Sequence, residues 1–172
     1  VAPRTDDWTD WLDRHGPAMV LLARQFTDSH ADAEDVVQEA FVRFWRDGRL
    51  RAEDPTAYLF ATVRRTALNH RRGAARRRIR ETGAGVPADA ATADDADPMF
   101  GDPLVRDEWR TRLQSALGEL PAEQREVLVL RVWGGLTFQQ AADALDIPPD
   151  TAASRHRYAI AALRRRLGAN SE

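Results

Sequence analysis

From Leu136 to Leu167 the chain reads LTFQQAADALDIPPDTAASRHRYAIAALRRRL: a short helix, a proline-containing turn and a longer, arginine-studded helix. Thr137 followed three residues later by Gln140 is a capping box, which starts the first of these helices. Pro148-Pro149-Asp150 ends the turn and caps the second. Two helices joined this tightly form a helix-turn-helix, and a helix presented in this way fits a major groove. DNA is therefore the expected partner.

The 172 residues, 43% of them apolar, can bury one modest core or two small ones, and the pattern along the chain favours two. A formal net charge of -2 would speak against nucleic acid if it were spread evenly, but it is segregated. Arg64, Arg65, Arg71, Arg72, Arg76, Arg77, Arg78 and Arg80 lie in a stretch without an acid, whereas Asp89, Asp94, Asp95, Asp97, Asp102 and Asp107 face only Arg106. Every basic residue is arginine. That suits phosphate recognition, but a GC-rich coding sequence would produce it too, so it is no nucleic-acid signal by itself. Without cysteine there is neither a disulfide framework nor a thiolate metal site. No apolar run approaches a membrane span, and the acidic start VAPRTDDWTDW is unlike a signal peptide. A cytoplasmic chain with no membrane insertion is expected.

Helical spacing dominates throughout, and an all-α fold of two small domains is expected. Trp8, Trp11, Leu12, Met19, Leu22, Ala23 and Phe26 recur at three and four, with Gly16-Pro17 marking a kink or restart. Ala33, Val36, Val37, Ala40, Phe41, Phe44 and Trp45 form a second apolar stripe, capped by Asp32 and ending near Gly48. A third helix starts at Pro55 and carries Leu59, Phe60, Val63 and Ala67 into the arginine block. Residues 81–103, rich in Ala, Gly, Asp and Pro, read as an acidic flexible linker without a core. Val105, Trp109, Leu113, Leu117 and Leu120 then resume helical spacing. A helix from Pro121 to Gly134-Gly135 is expected to bury Val127, Leu128, Leu130 and Val132, and the helix-turn-helix completes a four-helix second domain. The boundaries are 1–80, 81–103 and 104–172.

The segment DAEDVVQEAF (Asp32–Phe41) with Phe44-Trp45, followed by PTAYLFATVR from Pro55, resembles the second conserved region of bacterial sigma factors. LPAEQREVLVL from Leu120 and the helix-turn-helix resemble the fourth. Both in order, with only an acidic linker between, resemble the extracytoplasmic-function type of RNA polymerase sigma factor. The resemblance implies a protein that binds core RNA polymerase, through the largest-subunit coiled coil and the flap, and directs it to promoter DNA. The first domain would read and melt the minus-ten element, and the second would read the minus-thirty-five element as duplex. An anti-sigma protein is a further implied partner, and no metal or cofactor is.

On the second helix Asp35, Gln38, Glu39 and Val42 lie off the apolar stripe. Such a face is ordinarily solvated, but the resemblance makes it, with Trp45, the polymerase-docking surface. Tyr58, Thr62, Arg65 and Asn69 share one side of the third helix, flanked by Arg64 and Arg72. An aromatic platform beside cations is what a single strand needs, stacking being worth ~1–3 kcal/mol per base. A tyrosine packed on the rim of the core among solubilising arginines gives the same pattern. By resemblance, the loop 47–54, with Arg49 and Arg51, captures a flipped base. The family commonly has Asn at the position of Arg65 and Asp at that of Asn69. In the recognition helix, Thr151, Ala153, Ser154, Arg155, Arg157 and Tyr158 fall nearer the DNA, while Ala152, His156, Ala159, Ile160 and Leu163 follow core spacing. Here the family often has Lys where Ala153 stands and Arg where Tyr158 stands. A helix-turn-helix regulator acting alone on duplex DNA would explain the C-terminal half but leave the DAEDVVQEAF helix without work. An enzyme is not expected, since no nucleophile–base pair, metal cluster or phosphate-binding glycine loop is evident.

Overall fold

The computed structural model describes residues 5–48, 52–82 and 108–168, and all regular structure among them is helical. The helices are α1 (Thr5–Arg24), α2 (His30–Arg43), α3 (Pro55–Thr82), α4 (Glu108–Gly118), α5 (Ala122–Val132), α6 (Phe138–Leu145) and α7 (Pro149–Gly168), with one π-helical turn at Phe44–Gly48. The linker expected over 81–103 lies outside the described residues except at its start, where α3 continues through Thr82.

Helix α1 runs unbroken past Pro17, where a kink or restart was expected. The carbonyl that proline leaves without a donor belongs to Asp13, on the exposed side of the helix, where water can serve it. Its other side buries Ala18, Met19, Leu21, Leu22 and Ala23. The cap of α2 is Ser29 rather than Asp32. The Ser29 Oγ accepts the Asp32 amide at 3.0 Å and donates to Asp32 Oδ2 at 2.7 Å, so Asp32 is the acidic partner of the cap, in the first helical turn. Asp54 Oδ1 accepts the Ala57 amide at 3.0 Å and starts α3. Leu59, Phe60, Val63 and Ala67 are fully buried between α1 and α2, each large side chain contributing about 1.5–3 kcal/mol.

In the C-terminal half the capping box of α6 is complete: Thr137 Oγ1 accepts the Gln140 amide, and Gln140 Oε1 accepts the Thr137 amide. Helix α5 is sealed over five consecutive residues, Glu126 to Leu130. Val132, expected in the core, is 55% exposed, because the helix ends there, beyond the part its neighbours cover. Val129 is buried instead.

The apolar interior does not divide one core to each half. One cluster holds Ala116, Leu117, Leu120, Leu128, Ala159, Ala162 and Leu163 from α4, α5 and α7. The larger joins Met19, Leu22, Val36, Phe44, Phe60 and Val63 to Val127, Val129, Leu130, Leu136, Ala141 and Leu145. Helix α5 thus faces two ways, and it and α6 pack on α1 and α3.

Candidate functional site

Three surfaces carry the residues that the sequence singles out. On α2, the buried row Ala33, Val36 and Ala40 sets the opposite face outward, so Asp35, Gln38, Glu39 and Val42 are all exposed. Val42 is 65% and Trp45 48% exposed. Glu39 accepts a hydrogen bond from Arg43 Nη2 at 2.5 Å, one helical turn on. The result is an acidic rim around two uncovered apolar side chains, which the packing of the chain itself does not use.

On α3, Tyr58 lies at the surface with its ring 5.9 Å from that of Phe44. Arg65, Asn69 and Arg72 are exposed along the same helix. Thr62 is not part of this surface: it is 7% exposed, and its hydroxyl donates to the Tyr58 carbonyl at 2.9 Å. Arg64 is turned toward α5, where its Nε donates to Glu126 Oε2 at 2.5 Å. Tyr58, Arg64 and Arg65 line a cleft of about 640 Å³, closed at one end by Ala52, Glu53 and Asp54 and on the far side by Asp143, Ala144, Leu145 and Asp146 of α6. Arg49 and Arg51, expected at this surface, lie outside the described residues.

On α7, Ala152, Ala159, Ala162 and Leu163 are buried, which leaves Arg157 and Tyr158 as the most exposed of the expected DNA-facing residues. The Arg157 guanidinium lies 5.3 Å from the centre of the Tyr158 ring, a cation–π neighbour that pre-orients both. Thr151, Ala153, Ser154 and Arg155 are half-buried, and the Ser154 hydroxyl donates to the Thr151 carbonyl at 3.0 Å. His156 packs edge-on against Phe138 at 5.5 Å. Burial, and secondarily the Arg131 charge, holds its pKa below the usual histidine value.

Sequence reasoning missed the residues that tie the two halves together. Besides the Arg64–Glu126 pair, Gln140 Nε2 donates to Asp54 Oδ2 at 2.8 Å, His15 Nδ1 meets the Gly134 carbonyl at 3.0 Å, and Arg125 Nε donates to Gln25 Oε1 at 3.4 Å. His15 also stacks on Trp11 at 4.7 Å, and its burial pushes its pKa down, partly offset by the Gly134 hydrogen bond.

The comparisons with known proteins follow the same division. A model of Sigma-70 region 2 matches residues 11–77, and a model of Sigma-70 region 4 matches residues 110–163. The ECF RNA polymerase sigma factor SigJ of Mycobacterium tuberculosis is 33% identical over 147 residues, 84% of this chain but 47% of its own length, so the chain spans about half of that relative. SigL of the same species, also an ECF RNA polymerase sigma factor, is 31% identical over 157 residues, which are 88% of this chain and 84% of SigL. Among solved structures, the sigma factor RpoE in its complex with the anti-sigma factor NepR, from Bartonella quintana, superposes with a TM-score of 0.67 at 23% identity, over 96% of this chain and 99% of that one. Two region matches in order, and a relative covered along most of its length, place the chain in the ECF group of sigma-70-family RNA polymerase sigma factors, a family of transcription-initiation factors.

Proposed function

We propose that the chain binds core RNA polymerase through the outer face of α2 and directs it to promoters with two separated elements. In this reading residues 1–80 form the polymerase- and minus-ten-binding unit, 81–103 a linker, and 104–172 the unit that reads the minus-thirty-five element. The observation that carries it is the α2 face itself, where Val42 and Trp45 stand uncovered among Asp35, Gln38 and Glu39. Apolar side chains inside a charged rim are the usual make-up of a protein-docking surface, and the fold has no use for them.

Tyr58, Arg65, Asn69 and Arg72 would then supply stacking and a cationic track for a melted strand, with Arg49 and Arg51 on the adjoining loop. Thr62 would act from beneath, fixing the backbone at Tyr58. Arg157 and Tyr158 would lead the reading of duplex DNA from α7, with Thr151, Ala153, Ser154 and Arg155 nearer the backbone. The chain would act in the cytoplasm, where the polymerase is. Among the described residues no helix is long and apolar enough to cross a membrane. An anti-sigma protein would be its regulatory partner, as NepR is of the RpoE relative.

The test is association with bacterial core polymerase by gel filtration, for the native chain and for a variant carrying Asp35→Ala, Gln38→Ala and Glu39→Ala. Co-elution of the native chain that the variant loses supports the reading. Absence of co-elution, with salt-sensitive binding to duplex DNA alone, would instead make the chain a self-sufficient regulator.

A further inference from the structure

The strand-binding face proposed for α3 is not open in this structure. Its cleft is walled by α6, whose Asp143 and Asp146 stand opposite Arg64 and Arg65, and Glu53 and Asp54 lie at its end. Four carboxylates against two guanidiniums make it a poor site for phosphate. Arg64 is further occupied by Glu126, a carboxylate only 4% exposed whose side chain reaches across from α5. Beneath these charges, α6 and α3 share the larger apolar cluster, so the wall is packed in place rather than grazing the face.

We propose that this packing is an autoinhibited state, in which Glu126, Asp143 and Asp146 of the C-terminal half hold the arginine face that α3 would offer to a promoter single strand. The proposal rests on the minus-ten assignment of that face. Carboxylates of the chain take the place of phosphates of the strand, and the two occupants exclude each other. Binding a strand therefore requires the halves to part, which removes Asp143 and Asp146 from the cleft and frees Arg64. The apparent affinity of the free chain for single-stranded DNA is then the intrinsic affinity scaled down by the small open fraction. Anything that holds the two halves apart would raise it.

The chain contains no cysteine, so Glu34→Cys on α2 and Arg165→Cys on α7, both at exposed positions, accept a unique pair of spin labels. Pulsed dipolar spectroscopy then reads the distance between the halves. Glu126→Gln leaves Arg64 facing a neutral partner and should broaden the distribution to longer distances. It should also tighten binding of a short fluorescent single-stranded DNA of mixed sequence on the order of tenfold, as expected when one member of a buried pair is lost. Asp143→Asn with Asp146→Asn should act in the same direction; Asn tolerates the left-handed backbone that Asp146 adopts at φ 56°. The exchange Arg64→Glu with Glu126→Arg should restore the short distance. Glu123→Gln, the same charge change at an exposed position on α5, should alter neither reading. Thermal melting by circular dichroism establishes that each variant is folded.

Unchanged distances in both Glu126→Gln and the Asp143/Asp146 variant would overturn the proposal. So would longer distances without tighter DNA binding, or an equal gain from Glu123→Gln. The distance measurement needs no polymerase. Loss of the sigma reading in the gel-filtration assay and loss of the closed state are therefore separate results.

Discussion

Gly134→Ala tests whether the turn between α5 and α6 is packed as tightly as the structure states. A Cβ built at Gly134 would lie 2.6 Å from the Leu130 carbonyl oxygen, 2.9 Å from Leu136 Cδ1 and 3.3 Å from the Leu130 carbonyl carbon. The first is backbone and cannot swing aside. That oxygen accepts the Leu136 amide at 3.1 Å, the bond that closes the turn, while the Gly134 amide is held by Val129 O at 3.0 Å. Relieving the clash sacrifices about 1 kcal/mol of hydrogen bonding and adds overpacking strain of about 1–3 kcal/mol. The stiffer unfolded chain returns about 0.4–1 kcal/mol. The net expectation is a destabilisation of roughly 2 kcal/mol.

Two other glycines make the comparison internal. Gly135 has open space but φ +66°, so Gly135→Ala should cost about 1 kcal/mol through backbone strain alone. Gly16 lies inside α1 with nothing near its absent side chain, and Gly16→Ala should stabilise by about 0.5–1 kcal/mol. Urea denaturation followed by circular dichroism and tryptophan fluorescence gives all three. A Gly134→Ala variant as stable as the native chain, or less affected than Gly135→Ala, would refute the packing described for this turn.

Thr137→Ala removes one side of the α6 capping box and should cost about 1 kcal/mol in the same denaturation assay. His15 and His156 both have pKa values lowered by burial. Their contribution is therefore fully present above the unfolded-state value of about 6.5 and is lost as pH falls below it; melting temperature should drop on acidification through this range, and His15→Gln should remove part of the drop. Arg157→Ala should weaken specific duplex binding by about 1–3 kcal/mol and relax preference at one base pair. An equal loss on all sequences in a binding-site selection would reassign Arg157 to a phosphate.

How much was legible in the sequence follows from how local each signal is. The capping box of α6, the start of α3 at Pro55 and the outward face of α2 depend on residues three or four apart, and they lie where the spacing puts them. Asp32 was read as a cap because it precedes the apolar stripe. Ser29, three residues earlier, has the same chemistry, and only the backbone geometry decides between them. Thr62 shares a helical side with Tyr58, but the width of the buried stripe on α3 is set by α1 and α2, so Thr62 falls inside it. The joint core of the two halves was not foreseen. Its one local signal is the uninterrupted Val127–Leu130, a run too long for a helix covered on a single face. That run says α5 is enclosed, but periodicity names no partner, and the contacts that do, from Glu126 to Arg64 and from Gln140 to Asp54, span 62 and 86 residues.

The central claim is that this chain turns core polymerase into a promoter-selective enzyme. Its most direct measurement is transcription in vitro by core polymerase on a fragmented genomic template, with and without the chain, with RNA 5′ ends mapped. The account predicts discrete starts that appear only with the chain, share two separated upstream elements, and vanish when Asp35, Gln38 and Glu39 are changed to alanine together. Starts that are identical with and without the chain would contradict it.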